Sequence, residues 1–300
     1  LVSAFLLLLG CLALGAAVAR WAQPPIGLAQ GLNWWVIQIA LPALILDLVP
    51  GLHLDPSLWF LIVTQWGVFA GAWLLLAFIG RRLGWSRATI GGLILVCGLG
   101  NTSFLGYPLL EMLRGREGLS LGVVADQLGC FIMLAVGGVL VPAVYGGAPA
   151  TFGGMVRRVL FFPAFVALLT GVVVGLLGGW PTWFEPLLGR IGATLVPLAL
   201  FSVGLRFKLH LGRDQWLPVS VGLSWKLLAA PLLALGLGLL TGVSAPVLSI
   251  GVLQTAMAPM ISAAILADQH RLDPPLANTV LGCGILISLL SVPLWSALLP

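Results

Sequence analysis

The sequence predicts an all-α integral membrane protein with ten transmembrane helices, arranged as two inverted five-helix repeats. Three observations predict this fold class. Of the 300 residues, 60% are hydrophobic and only 8% are charged, which leaves too little polar surface to cover a soluble globular protein. Apolar segments long enough to cross a bilayer recur along the chain and are joined by short connections. Related motifs occur in the same order in the two halves, as expected for an internal repeat.

Ten spans follow when each crossing is required to contain roughly 20 apolar residues. The predicted spans cover about residues 2–19, 30–50, 57–80, 88–112, 118–145, 159–178, 186–206, 215–240, 245–269 and 274–299. The longest connection, around residues 146–158, divides the chain into a first repeat, 1–150, and a second repeat, 151–300. The first apolar segment ends in a sequence that resembles a signal-peptide cleavage site. Because that segment lacks a basic start and is too long, we expect it to be the first span.

The distribution of basic residues predicts the orientation of the spans. The odd-numbered connections contain ten Lys and Arg residues, and the even-numbered connections contain three. Because cytoplasmic connections are enriched in these residues, the odd-numbered connections are expected in the cytoplasm and both chain termini outside. The net charge of +5 is then a topology signal, and nucleic-acid binding is not expected.

Three features of the first half recur in the second. They are a proline in the middle of a span, a polar interruption that contains a proline, and a Gly-Cys pair inside an apolar run. They occur at Pro42 and Pro197 in the second and seventh spans, in the fourth and ninth spans, and at Gly129-Cys130 and Gly282-Cys283 in the fifth and tenth spans. When a repeat has an odd number of spans, its second copy enters the membrane from the opposite side. The two halves are therefore predicted to be inverted repeats.

The fourth span is interrupted by glycines, three consecutive polar residues and a proline within residues 98–108. Pro108 cannot donate to the carbonyl of Phe104, so the helix is predicted to break there and to leave polar backbone groups that protein, water or a ligand must satisfy. The alternative is a glycine-rich kink that only lets helices pack closely. The ninth span has a corresponding interruption, in which Pro259 leaves the carbonyl of Thr255 without its helical donor.

These two interruptions predict a binding site. Each broken helix presents one end with partial positive charge and one with partial negative charge to the bilayer centre, and two breaks that cross there can bind anions and cations together. Neutral polar side chains would orient a substrate without the desolvation cost of a buried charge. The predicted substrate-binding residues are Asn101, Thr102, Ser103, Gln254 and Thr255. The predicted helix-breaking residues are Gly106, Pro108, Pro259, Pro42 and Pro197.

Two ionisable residues inside the predicted spans are candidates for coupling or charge compensation. Lys226 lies near the midpoint of the eighth span, where an ammonium costs at least about 2.5–3.5 kcal/mol on insertion scales. It is expected to pair with Asp126 of the fifth span, to face a substrate carboxylate, or to release and regain a proton during transport. In the alternative interpretation, the lysine head group reaches a water-filled cavity and Asp126 lies in a hydrated outer mouth.

At these residues the chain resembles the auxin efflux carrier family, whose bacterial members include malate and other organic-anion permeases. The resemblance is carried by Asn101, Phe104, Gly106 and Pro108 in the fourth span, 197–201 and Gly204 in the seventh, 227–231 in the eighth, and 257–259 and 266–269 in the ninth. It implies a ten-helix inverted-repeat fold with crossed, unwound helices, an elevator-like movement of one bundle, and a bacterial inner (plasma) membrane location. The chain lacks the long central loop of plant relatives, so auxin itself is not the expected substrate.

The expected function is that of a secondary transporter. The resemblance implies a small organic anion such as a dicarboxylate, moved with a proton or sodium gradient or by facilitated diffusion. One alternative is a bile-acid-type sodium symporter of the same fold, which the scarcity of carboxylates beside the breaks disfavours. Another is a non-transporting membrane sensor. An enzyme is not expected, because the spans lack paired catalytic carboxylates and an activated nucleophile.

No cofactor or metal site is expected. The four cysteines show no metal-ligand spacing and are interpreted as small buried hydrophobic residues, and the three histidines lie in or beside connections. Besides the substrate anion, the partners to be considered are H+ or Na+, membrane lipid, and a second copy of the chain in a homodimer.

Overall fold

The computed structural model describes residues 2–52, 55–147, 152–206 and 215–300. These residues are almost entirely helical, and the only extended pairing among them is an isolated antiparallel bridge between Gly100 and Pro259. Six of their helical segments are long and apolar enough to cross a membrane: Leu28–Gly51, Pro56–Arg82, Gly106–Tyr145, Glu185–Arg206, Trp216–Thr241 and Pro274–Leu298. Shorter apolar helices cover Leu9–Trp21, Arg87–Gly98, Pro163–Leu176 and Ala245–Thr255. The prediction of an all-helical membrane protein is confirmed.

The α-helices of the described residues are numbered in chain order. They are α1 (Val2–Trp21), α2 (Leu28–Trp35), α3 (Leu41–Leu48), α4 (Trp59–Arg82), α5 (Arg87–Gly98), α6 (Gly106–Val124), α7 (Phe131–Tyr145), α8 (Phe152–Leu160), α9 (Pro163–Leu176), α10 (Glu185–Gly192), α11 (Leu195–Arg206), α12 (Trp216–Ser224), α13 (Ala230–Thr241), α14 (Ala245–Thr255), α15 (Ile261–Gln269) and α16 (Pro274–Leu298). Turns of π-helix join α2 to α3, α6 to α7 and α12 to α13. Gly115, with a φ of 67°, interrupts α6 between the predicted fourth and fifth spans.

The helices form two compact units, each assembled from separated parts of the chain. The first unit takes its described residues from 1–55, 103–123 and 158–207. The second unit takes them from 56–102, 124–157 and 208–300. Each unit contains segments from both sequence halves, 1–150 and 151–300, so the units of packing do not coincide with the predicted repeats.

In the first unit, two glycines bring α1 and α11 close together. A Cβ atom added to Gly15 would lie 3.0 Å from the Cα of Gly204, and a Cβ atom added to Gly204 would lie 3.0 Å from the Cα of Gly15. Small residues allow helix backbones to approach this closely inside a membrane, where tight packing drives helix association. The same unit contains the ion pair between Arg116 and the buried Asp47, with 2.7 Å between Nη2 and Oδ2.

The structure corrects the prediction that Pro42 breaks a helix. The helical segment Leu28–Gly51 continues through Pro42, because the π-helical turn Val36–Ala40 shifts the hydrogen-bond register just before it. In the seventh predicted span the non-helical residues are Ala193 and Thr194, and Pro197 lies in the first turn of α11. A proline is tolerated there, since the first N–H groups of a helix have no helical acceptor.

The second unit is built around α5. The side chains of this helix are apolar on all faces and almost all buried from Ile90 to Gly98, as expected for a helix surrounded by others. Ser86 caps its N-terminus by accepting a hydrogen bond from the backbone N–H of Thr89 at 3.0 Å. The hydroxyl of Thr89 donates to Asp273, the N-terminal cap of α16, at 2.8 Å. These contacts fix the start of α5. The helix ends at Gly98, which is itself buried in the core of the unit.

Candidate functional site

The fourth and ninth predicted spans are both interrupted, and the two interruptions are paired. The helix α5 ends at Gly98 and α6 begins at Gly106, while α14 ends at Thr255 and α15 begins at Ile261. We call the non-helical residues 99–105 the first break and 256–260 the second break. The backbone N–H of Asn101 donates to the carbonyl of Ala258 at 2.7 Å, and that of Met260 donates to Leu99 at 3.1 Å. The two breaks thus form a short antiparallel ladder.

The ladder explains why Gly100 and Pro259 occupy its centre. They are a directly opposed pair that exchanges no hydrogen bond, so the missing N–H of Pro259 leaves no ladder partner unsatisfied. A Cβ atom on Gly100 would lie 3.0 Å from the Nζ of Lys226 and 3.4 Å from the carbonyl oxygen of Gln254. On α16, the absence of a side chain at Gly284 leaves room for the ring of Pro259.

The position of Pro108 differs from the prediction. We attributed the first break to this proline, but α5 already ends at Gly98, and Gly106 and Pro108 lie in the first turn of α6. The proline therefore begins the second helical segment and does not end the first. The N–H groups of Tyr107 and Leu109 donate to the carbonyls of Ser103 and Leu105, each at 3.2 Å, so the hydrogen bond that Pro108 cannot make is the one to Phe104.

Lys226 lies beside the second break. In a continuous helix the carbonyl of Thr255 would accept from residue 259, which is a proline and has no N–H. The Nζ of Lys226 donates to this carbonyl instead, at 3.1 Å. Lys226 is completely buried and belongs to the π-helical turn Trp225–Ala229, which the indole of Trp295 holds by donating to the carbonyl of Leu227 at 3.0 Å.

Asp126 lies beside the first break. It is 2% exposed, on the π-helical turn Ala125–Cys130, so it is not at a hydrated surface of its unit. One of its oxygens accepts from the hydroxyl of Thr102, and the other accepts from the Nε2 of Gln127 at 2.8 Å. Each oxygen of Asp126 therefore has a hydrogen-bond donor within the second unit. Its predicted pairing with Lys226 stays a prediction.

Four of the predicted substrate-binding residues lie on the paired breaks or at the end of α14, within the second unit. They are Asn101, Thr102, Gln254 and Thr255, and all four are buried. The Nε2 of Gln254 lies 3.5 Å from the carbonyl oxygen of Thr102 and joins the two sides. The fifth, Ser103, belongs to the first unit.

Asn101 carries the feature that most clearly indicates a ligand. Its Nδ2 is buried and has no hydrogen-bond partner among the described residues. A buried donor without a partner is destabilising by about 1–3 kcal/mol, and native proteins contain few of them. An acceptor supplied by a bound molecule would satisfy this group.

Sequence reasoning missed Cys130 as a residue that contacts the first break. Cys130 was interpreted as a small hydrophobic residue, but its thiol donates to the carbonyl of Gly100 at 3.2 Å and so contacts the first break. The adjacent Asp126-Gln127 pair was the available signal, because polar residues inside an apolar span usually face protein or water. Within the described ranges, no three His, Cys, Asp or Glu side chains are grouped in a way that could hold a metal ion.

Comparisons with known proteins identify the family of the chain. The sequence model of the family described as membrane transport protein matches residues 4–148 and 151–296. An uncharacterised transporter from Methanothermobacter thermautotrophicus is 30% identical over 280 residues, which cover 90% of this chain and 89% of that relative. An uncharacterised transporter from Methanocaldococcus jannaschii is 25% identical over 287 residues, which cover 90% of each chain. The chain therefore belongs to the auxin efflux carrier family of membrane transport proteins.

Proposed function

We propose that this protein is a secondary transporter that binds a small organic anion, such as a dicarboxylate, at the paired breaks. The observation that carries the proposal is the buried Nδ2 of Asn101, which lacks a partner among the described residues and lies on a backbone held by its own ladder. A carboxylate oxygen is a suitable acceptor for this donor. The N-terminus of α15, which directly follows the second break, adds partial positive charge that favours an anion.

The rigid setting of Asn101 supports a binding role. Its backbone is fixed by the hydrogen bond to Ala258, and its neighbour Thr102 is fixed by Asp126. Binding groups that are held in place before the substrate arrives lose little entropy on binding. Neutral amides and hydroxyls also release a substrate more readily than a buried counter-charge would, and a carrier must release its substrate on the far side of the membrane.

The finer architecture is part of the same proposal. Ten crossings in two inverted repeats are supported by the interruptions in the fourth and ninth spans and by the two matched segments of the family, which meet near residue 150. We further propose that the breaks cross, that the odd-numbered connections are cytoplasmic with both termini outside, and that transport uses a proton or sodium gradient in a bacterial inner (plasma) membrane. These features follow from the charge distribution and the family resemblance.

The test is the flux of radiolabelled malate and other dicarboxylates into proteoliposomes that contain the purified protein, with imposed proton or sodium gradients. We expect wild-type flux, and for Asn101→Ala an affinity lower by roughly 5-fold to more than 100-fold, because a hydrogen bond to a buried group is worth about 1–3 kcal/mol. Because Nδ2 has no partner among the described residues, the substitution breaks no hydrogen bond of this donor, and the melting temperature measured without substrate is the control for folding.

A matched control is Thr279→Val. It removes a buried hydroxyl in the same unit that donates to Gln215 at 2.9 Å, and it should leave flux unchanged. If the wild type and Asn101→Ala bound the substrate with equal affinity, the paired breaks would not be the substrate site. Absence of flux for every anion under every gradient would favour the non-transporting sensor.

A further inference from the structure

We propose that the ammonium of Lys226 is a built-in monovalent cation at the paired breaks and occupies the place that a bound sodium ion would otherwise take. The inference rests on the proposed function only in treating the breaks as a transport site. In this proposal the ammonium of Lys226 neutralises the partial negative charge of the protein's own helix C-termini. It predicts that no alkali cation binds there in the wild-type protein.

The paired breaks concentrate negative charge. The last carbonyl groups of a helix have no helical donors and carry partial negative charge, and both α5 and α14 end at the ladder. Asp126, whose two oxygens accept hydrogen bonds from Thr102 and Gln127, adds a buried carboxylate beside the first break. Two helix C-termini and a carboxylate form the kind of oxygen-lined site that binds sodium ions in transporters with broken helices.

Lys226 supplies the missing positive charge. Its Nζ donates to the carbonyl of Thr255 at the end of α14, and it lies 3.0 Å from the position that a Cβ atom of Gly100 would occupy. Both sides of the ladder are therefore within reach of one ammonium group. The absence of a side chain at Gly100 preserves the space for this group, since an added methyl would contact it.

The surroundings hold the ammonium in this place. Lys226 is completely buried, so its charge cannot be compensated by bulk water. Its π-helical turn is tied to α16 by the hydrogen bond from Trp295 to Leu227. The ammonium of Lys226 is covalently tethered and cannot leave, whereas a sodium ion could exchange with solvent. With this ammonium in place, the site needs no sodium ion to balance its negative charge.

Replacing Lys226 by alanine should convert this place into an open cation site. The substitution removes the ammonium and most of its stem but leaves the carbonyl of Thr255 and the carboxylate of Asp126. Small ammonium ions should enter the space and restore the lost charge. Lys226→Met fills the stem volume without charge, so it should lose stability and should not respond to added ammonium. Lys226→Arg keeps the charge.

The experiment measures thermal unfolding of the purified protein in detergent, at constant ionic strength. Sodium, ammonium and ethylammonium chloride are each compared with N-methylglucamine chloride, whose cation is too large to enter. We expect no cation-specific shift in the wild type, a melting temperature lowered by several degrees in Lys226→Ala and Lys226→Met, and a saturable recovery of Lys226→Ala in ammonium or ethylammonium.

Two results obtained with folded variants would overturn the proposal. One is saturable stabilisation of the wild type by sodium that Asp126→Asn abolishes, which would mean that the paired breaks still take an alkali cation. The other is wild-type stability of Lys226→Met, which would mean that the charge is not needed. Where Lys226→Ala does not fold, accumulation of Lys226→Arg and failure of Lys226→Met support the proposal, whereas equal failure of Lys226→Arg and Lys226→Met contradicts it.

None of these measurements requires a substrate. The proposal for Lys226 can therefore fail while the transport function holds, because a sodium-stabilised wild type can still carry an organic anion. The transport function can fail while the proposal for Lys226 holds, because a sensor with the same paired breaks would also need its helix ends neutralised.

Discussion

The two prolines near the breaks differ in what their missing N–H group does. Pro108 lies in the first turn of α6, between Tyr107 and Leu109, whose N–H groups donate to the carbonyls of Ser103 and Leu105. Pro259 lies in the ladder, and its missing N–H leaves the carbonyl of Thr255 to Lys226. The same residue type therefore starts a helix at one break and keeps a helix from continuing at the other.

We predict that Pro259→Ala lowers dicarboxylate flux at least tenfold and that Pro108→Ala leaves it within about twofold of wild type. An alanine at 259 provides an N–H that competes with Lys226 for Thr255 and removes a helix-interior penalty of about 3 kcal/mol, so α14 can extend across the second break. Flux into proteoliposomes is the readout, with membrane accumulation as the control for folding. Wild-type flux in Pro259→Ala would show that the ladder does not need its proline, and an equal loss in both variants would show that the two prolines do not differ in role.

At the residue scale, the polar members of the site could be predicted and the others could not. Asn101, Thr102, Gln254 and Thr255 are detectable because each interrupts an apolar run that must lie in hydrocarbon. Gly100 could not be predicted, because it contributes only its carbonyl and the space left by a missing side chain, and any glycine in the sequence has these properties. Cys130 acts as a thiol donor because it lies on a π-helical turn beside Gly100. Such turns cannot be predicted from single residues in the sequence.

At the scale of the helices, glycine pairs determine how closely α1 and α11 pack. Gly15 and Gly204 face each other so closely that a side chain on either one would clash with backbone atoms of the other helix. Gly10 lies on the same helix as Gly15 but has nothing within 4 Å of an added Cβ atom. The two glycines of α1 therefore form a natural comparison between a packing position and a free one.

We predict that Gly15→Val destabilises the folded protein by about 1–3 kcal/mol or more, because the added atoms force the two backbones apart. Gly10→Val should change stability by less than about 0.5 kcal/mol, as is usual for exposed positions. The measurement is the melting temperature of each variant in the same detergent. A Gly15→Val protein as stable as Gly10→Val would mean that α1 and α11 do not pack through this pair.

The extent of the helices illustrates a limit of sequence reasoning. The positions of the two breaks could be predicted to within a few residues from glycine, proline and polar residues. The end of α5 at Gly98 could not, because the helix stops where its backbone begins to pair with residues 258–260, more than 150 positions away. The continuous helix through Pro42 has a different, local origin, since a π-helical turn just before the proline accommodates it.

At the scale of the whole molecule, the two compact units each draw helices from both halves of the chain. The membrane class and the family follow from composition and motifs that are spread along the entire sequence. The division into two units could not be predicted from the sequence. It depends on contacts between segments that are distant in the chain, and no local sequence pattern indicates such contacts. Residues 99–102 of the first break, the whole second break and Lys226 belong to the second unit, so the ladder and the lysine beside it lie within one unit.

The most direct test of the central claim is substrate protection of cysteines placed on the two sides of the ladder. In a protein with Cys11, Cys97, Cys130 and Cys283 replaced, Thr102→Cys and Thr255→Cys are treated separately with a small permeant thiol reagent, with and without dicarboxylate. A cysteine at the exposed Thr241 of α13 is the control. Substrate should slow labelling at both 102 and 255 and leave 241 unchanged, because one bound anion covers both breaks. Protection at only one of the two positions, or at neither, would contradict a shared substrate site at the paired breaks.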